Sequence, residues 1–229
     1  MNIDIQKASR EEKYLLRNLM ELCQHDYSEF TPEDVNEHGL FGYTYLDHYW
    51  TEPERHPFLV RVDSKVAGFV LVRRLDEVPT HTIAEFFILR KYRRRGIGQI
   101  VAYHIFDLFP GKWHVRQETG NLPAQAFWKK SIAHYTNNAY QEEETEQGPV
   151  QEFYTPDSEA HRLAHLGRIT QRLIRFYPTR PNSTACSDTT HRVSSSNSSD
   201  KKKLSLSKTM VGLTNSAQNE RYVSGIFDN

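Results

Sequence analysis

Cysteine is nearly absent from the 229-residue chain: only Cys23 and Cys186 occur. That excludes a disulfide framework and a cysteine-built zinc site, and it suits a reducing compartment. Charge of one sign is missing too. Lys+Arg and Asp+Glu balance at 29 each, so no global field points to DNA or RNA. No apolar run approaches the ~20 residues of a membrane-spanning helix. The opening "MNIDIQKASREEKY" lacks the apolar core of a secretory signal. The expectation is a cytoplasmic protein without a membrane span, monomeric or homodimeric, with no nucleic acid as partner.

Composition shifts near residue 156. Residues 1–155 show clear apolar periodicity and read as one domain. In 156–179, "SEAHRLAHLGRITQRLIRFYP" sets Leu163, Leu166, Ile169, Leu173 and Phe176 near helical spacing, with arginines on the other faces. This predicts an amphipathic basic helix, either touching a partner or anionic surface or docked on the domain. Residues 180–229, with "STACSDTTHRVSSSNSSDKKK", carry too little apolar surface to offset chain entropy and read as a disordered polar tail.

Strands and helices alternate within 1–155. "IDIQKA" predicts a strand. The next segment predicts a helix, with Ser9 and Glu12 as a capping box and Leu15, Leu16, Leu19 and Leu22 as its apolar stripe. "FLVRVD" and "KVAGFVLVRRL" predict strands joined at Asp63-Ser64, and "HTIAEFFILR" a third. A helix over about 97–109, the strand "WHVRQE" and the helix "LPAQAFWKKSIAHY" follow. A last hairpin is expected to turn at Gly148-Pro149. The order predicts an α/β fold with a mixed (α+β) sheet.

Between the third of these strands and the 97–109 helix lies "YRRRGIG". A free basic patch would suit a polar segment rather than one set between an apolar strand and an apolar helix. A dinucleotide fingerprint needs a third glycine, where Val101 stands. The remaining reading is geometric. Gly96 and Gly98 let the backbone turn tightly and come close to a ligand. The N–H groups of Arg94, Arg95, Gly96, Ile97, Gly98 and Gln99 then converge at the positive end of a helix dipole, a nest for a pyrophosphate. Arg93, Arg94 and Arg95 add charge at its mouth.

The pattern Arg93-x-x-Gly96-x-Gly98 resembles the [Gln/Arg]-x-x-Gly-x-[Gly/Ala] signature of the GNAT N-acetyltransferase superfamily. "AEFFILRKY" resembles the family's central strand, and Asn121, Ala124, Phe127 and Trp128 resemble its Asn-x-x-Ala-x-x-Phe-Tyr segment. The resemblance covers about residues 1–155. It implies a splayed central sheet flanked by helices, and acetyl-coenzyme A as cosubstrate, without a metal. The cosubstrate is expected at the glycine loop, at backbone N–H groups near Phe87, Ile88 and Leu89, and at the Asn121–Trp128 segment. It also implies direct attack by an amine, where the central strand and "WHVRQE" part.

Such a transfer needs a deprotonated amine, a donor for the developing oxyanion and a proton for the thiolate. Glu85, a carboxylate inside an apolar strand, is the candidate base; the alternative is that it faces solvent or pairs with an arginine. His81 is a second candidate. Trp128 departs from the family tyrosine, and an indole N–H is no practical acid. Either Tyr135 takes that role or solvent does, with Trp128 packing along the pantetheine or in the core. Cys23 and Cys186 do not look like nucleophiles.

Residues 24–54 hold eight acids, no Lys or Arg, and many aromatics, including Tyr27, Phe30, Phe41, Tyr43 and Tyr45. They form either an acidic wall for a cationic acceptor or a solvated loop whose aromatics anchor it to the core. His25, Asp26, His38, Asp47 and His48 match no zinc spacing. The expected acceptor is a primary amine, polyamine-like or aminoglycoside-like, with a protein amine also open. The alternative is a non-catalytic acyl-CoA-binding sensor or interaction module.

Overall fold

Alternating apolar residues and one tight turn set up the first half of the sheet. The computed structural model of the protein describes residues 1–75 and 80–156. Beyond Pro156, the expected amphipathic helix and polar tail lie outside the described residues. Strands β1 (Ile3–Lys7), β2 (Arg55–Val62), β3 (Lys65–Leu75) and β4 (Thr80–Ile88) pair antiparallel in that order. The β2–β3 turn falls at Asp63 and Ser64, both left-handed with φ of 49° and 63°, the conformation that matches strand twist in a two-residue hairpin. β5 (Gly111–Arg116), β7 (Gly148–Thr155) and β6 (Tyr140–Thr145) complete a seven-stranded sheet of order β1-β2-β3-β4-β5-β7-β6.

Helix α1 (Lys13–Tyr27) covers one face, with Leu16, Leu19, Met20 and Cys23 packed on Leu59, Phe69, Leu71 and Phe87. Its buried stripe differs from the expected one: Leu22 is 48% exposed, and Met20 and Cys23 face inward instead. The expected capping box is half formed. Ser9 N–H donates to the Glu12 carboxylate (3.0 Å), but no side-chain cap closes the helix. Glu12 is also held by Arg61 of β2, so the helix begins after it, at Lys13. Helices α2 (Ile97–Leu108) and α3 (Leu122–Thr136) cover the other face over Val70, Val72, Ile83, Phe86 and Ile88.

Two irregularities position the site. First, β4 and β5, the only parallel neighbours among the described strands, pair just at Thr80–Lys112 and His81–Trp113 and then part. Second, the β3–β4 register slips between Leu71–Glu85 and Val72–Ile83, which leaves Ala84 as a bulge. Ile83, Phe86 and Ile88 pack in the α2/α3 core while Ala84 and Phe87 pack under α1. Alternation counted back from Phe87 therefore turns Glu85 to the α1 face as well.

The last hairpin turns at Glu146-Gln147, with Thr145 opposite Gly148, rather than at Gly148-Pro149. Gly148 is needed elsewhere. It has φ of +115°, and a Cβ there would stand 2.2 Å from the Gln117 carbonyl and 2.8 Å from the Thr119 nitrogen. It thus clamps β7 to the loop between β5 and α3. Gly148→Ala combines backbone strain with overpacking and is expected to cost about 3 kcal/mol. Gly39→Ala, at φ +73° in open space, should cost only about 1 kcal/mol. Urea denaturation midpoints of the two variants provide the comparison.

Candidate active site

At the end of β4 the chain makes a short 3-10 turn (Arg90–Tyr92), passes Arg94 at φ 58° and enters α2 from Gly96 at φ 75°. No side chain caps α2. The N–H groups of Gly96, Ile97 and Gly98 meet no backbone acceptor among the described residues. This is the donor-rich, positive end of a helix, and the space beside Gly96 is open. Arg94 and Arg95 are exposed at its rim. Ile97 is a core residue, and the Gln99 amide side chain turns away to the Tyr103 hydroxyl (2.7 Å).

Arg93 is not at the mouth. Its side chain is 4% exposed, with Nε donating to the Ile88 carbonyl (2.7 Å) and Nη2 to Asp26 Oδ2 (2.5 Å). Asp26, 8% exposed near the end of α1, also takes Arg90 at 2.7 Å. The first basic residue of the run therefore locks the loop to α1, and only Arg94 and Arg95 of the three are exposed beside the start of α2.

Of the backbone groups expected to face a thioester, Leu89 N–H is engaged by the Ala67 carbonyl (2.8 Å). Strand alternation turns Phe87 N–H toward β3 as well and leaves Ile88 N–H on the edge from which β5 has departed.

Glu85 lies beside this edge, wholly buried, and among the described residues neither carboxylate oxygen has a hydrogen-bond partner. Burial pushes its pKa well above the ordinary carboxylate value. The solvent-facing and arginine-paired alternatives are thus not what the fold shows. Around Glu85 on the α1 face are Cys23 and Tyr27. Burial raises the Cys23 thiol pKa, helped by the negative fields of Glu85 and Asp26, so it is a poor nucleophile. The Tyr27 hydroxyl is raised by burial first, then by Glu118 and Glu85. Sequence reasoning missed Glu118, which has no motif to mark it.

His81 sits on the opposite face of β4, between the rings of Phe109 (5.4 Å) and Trp113 (5.4 Å). It cannot share work with Glu85 across a closed sheet. Burial lowers its pKa. The 24–54 segment is largely the anchored-loop alternative. Glu21 accepts from Phe41 and Gly42 N–H groups at 2.7 and 3.1 Å, and Tyr27 and Tyr49 are buried. Asp47 pairs with Lys13, Glu52 with Arg55 and Glu54 with Arg74.

The sequence profile of the acetyltransferase (GNAT) family matches residues 16–132. The chain belongs to the GNAT acetyltransferase family. No curated protein sequence matches it. Among solved structures, the PaiA N-acetyltransferase of Thermoplasma acidophilum, determined with coenzyme A, is similar at TM-score 0.51 and 13% identity, over 68% of this chain and 100% of that one. An acetyltransferase of Thermus thermophilus is similar at TM-score 0.50 and 12% identity, over 68% and 97%. At these identities the likeness establishes the splayed GNAT fold. No helix among the described residues is long and apolar enough to cross a membrane.

The GNAT segment on α3 is chiefly architectural here. Asn121 is the N-cap, its Oδ1 accepting from Ala124 N–H (3.0 Å). Ala124 and Trp128 are wholly buried, Trp128 against Phe86 and Phe106, so its indole belongs to the core. Phe127 is half-buried against Phe86. Tyr135 lies two helical turns farther on, 1% exposed, its hydroxyl donating to Asp107 (2.8 Å). Nothing in that setting favours it as a proton donor. Asp26→Ala strands the buried Arg93 charge and is expected to cost about 3 kcal/mol. Arg90→Ala, at a side chain 67% exposed, should cost under about 1 kcal/mol. Equilibrium unfolding in urea distinguishes the two.

Proposed function

We propose that residues 1–155 form an N-acetyltransferase domain that uses acetyl-coenzyme A to acetylate a primary amine by direct attack in a ternary complex, in the cytoplasm. The observation that carries this is the buried, unpartnered Glu85 carboxylate at the point where β4 and β5 part, next to the donor-rich start of α2. The residues fit the cofactor. Gly96, Ile97 and Gly98 N–H groups, with Arg94 and Arg95, would hold the pyrophosphate, and the free edge of β4 at Ile88 would take the pantetheine side. Acetyl-coenzyme A supplies an activated thioester there.

This chain's residues hold the partners and manage the proton. Glu85 in its ionised form accepts the ammonium proton, directly or through a water, which leaves a neutral amine to attack. Ile88 N–H, on the open edge of β4, is the backbone donor that would face the thioester carbonyl oxygen. With Trp128 in the core and Tyr135 bound to Asp107, the departing thiolate takes its proton from solvent. Positioning both reactants in the splay supplies much of the remaining acceleration.

The test begins with acetyl-coenzyme A binding by calorimetry, followed by thiol release with a panel of amines. Gly98→Trp fills the cradle and is expected to abolish binding while circular dichroism stays native. A folded wild-type protein that binds no acetyl-coenzyme A overturns the assignment, and binding without thiol release favours a sensor.

Glu85→Gln should lower kcat about 10²–10⁴-fold while leaving cofactor affinity near wild type. In wild type, the rate falls on the acid side with an apparent pKa above the ordinary carboxylate range, because protonated Glu85 is no base. Stability follows the same proton with the opposite trend. The folded state keeps it above pH 4.5, where the unfolded chain releases it. Stability is therefore fully present below that value and declines as pH rises toward the raised folded pKa. Glu85→Gln removes that slope, a change that urea titrations at several pH values read directly.

A further inference from the structure

Glu118 is held with unusual firmness for a residue in a loop. Its carbonyl accepts from the Gln125 side chain (2.8 Å) and from Asn121 N–H (3.1 Å). Gly148 leaves no room behind it, since a Cβ there would sit 2.9 Å from the Glu118 carbonyl carbon. Its half-buried carboxylate lies beside the Tyr27 hydroxyl. Among the described residues it has no ion pair with a lysine or arginine. The neighbouring carboxylate, Asp26, is by contrast neutralised by Arg90 and Arg93.

The group pointing the same way from β4 is Glu85, fully buried and without a hydrogen-bond partner. The buried Tyr27 hydroxyl has the Glu118 carboxylate as its nearest side-chain partner, and both Glu118 and Glu85 act on it. Phe30 closes this corner. It lies edge-on to Tyr27 at 6.5 Å, and a Cβ on Gly120 would come 3.9 Å from its own Cβ. Two carboxylates and a hydroxyl thus share one corner of the splay with an aromatic wall, and Glu85 has no hydrogen-bond partner among the described residues. Such a corner suits a cation.

We infer that Glu118 and Tyr27 bind a second, non-reacting positive charge of the acceptor, so that the preferred substrate is a compact di- or polyamine. This rests on the acetyltransferase reading above. The reasoning is electrostatic. The nitrogen that attacks must shed its proton to Glu85 and arrives neutral, so it cannot keep an ion pair. Glu118, half-buried and without a lysine or arginine partner among the described residues, is the carboxylate placed to attract whatever charge remains on the acceptor. An acceptor with a carboxylate beside its amine meets repulsion at the same place. No bond is made or broken at Glu118, so it is a specificity residue rather than a catalytic one.

The experiment is calorimetric titration of 1,4-diaminobutane and of n-butylamine into the full chain saturated with coenzyme A, for wild type, Glu118→Gln and Tyr27→Phe. Wild type is expected to bind the diamine at least about tenfold more tightly than the monoamine, the scale of one partly buried charge contact. Glu118→Gln should bring that ratio close to one while butylamine affinity changes less than about twofold. Tyr27→Phe should reduce the ratio in part. If wild type does not prefer the diamine, or if Glu118→Gln keeps the preference, the inference is overturned. If coenzyme A does not bind, the acetyltransferase reading fails separately. The titration is then run on the free protein, where the corner is already formed and the same ratio decides the matter. A Glu118→Gln chain that does not fold is replaced by Glu118→Asp, which keeps the charge but withdraws it and should lower the ratio.

Discussion

Parallel strands normally stay together because each residue added to the pair closes another hydrogen bond. β4 and β5 stop after Thr80–Lys112 and His81–Trp113, and the rest of each strand must find other partners. β5 finds β7 along its whole length. β4 has β3 on one side only, which leaves the N–H of Ile88 facing a gap inside an otherwise closed sheet. An unpaired backbone edge in a protein interior is costly unless something fills it. In the proposed acetyltransferase, the extended arm of the cosubstrate would fill it. The glycine loop that follows β4 then delivers a helix N-terminus to the same gap, so cradle and edge arise from one departure.

That geometry holds only if the loop is fixed, and Arg93 fixes it. A guanidinium 4% exposed would be prohibitive without partners, and Asp26 and the Ile88 carbonyl provide them. Asp26 is followed directly by Tyr27, whose ring opens the acceptor corner. A displacement of the end of α1 therefore moves the glycine loop and the Tyr27 corner together, the two parts of the site proposed above. The two halves of the site share one ion pair.

Much of this was legible in the sequence. Period-two and period-3.6 patterns gave the element order, and two glycines after an apolar strand marked the tight turn into α2. What the patterns could not carry were the places where a side chain's partner is far along the chain. Arg93 reads as one of three equivalent arginines until Asp26 appears across 67 residues. Leu22 fits a helical stripe by spacing, yet the sheet lies under Met20 and Cys23. Gly148-Pro149 reads as a turn, but that glycine is needed where β7 presses on Gln117. Glu85 was visible because an acid in an apolar run is conspicuous. Its facing was not, because a one-residue bulge at Ala84 decides it. Glu118 carries no local signal at all; its meaning comes from the loop that holds it.

The two carboxylates at the corner differ in environment, and that difference assigns their work. Glu85, desolvated and without a hydrogen-bond partner among the described residues, favours its proton, and no described arginine weakens it as the proposed base. Glu118 is half in solvent and, among the described residues, has no lysine or arginine partner. A site with two exposed carboxylates would bind cations well and deprotonate them poorly. A site with two buried ones would hold two protons and repel nothing. In the proposed site, one of each would let Glu118 hold the acceptor's second charge while the attacking nitrogen loses its proton to Glu85. The bulge that buries Glu85 and the glycine clamp that fixes Glu118 are therefore complementary parts of one electrostatic arrangement.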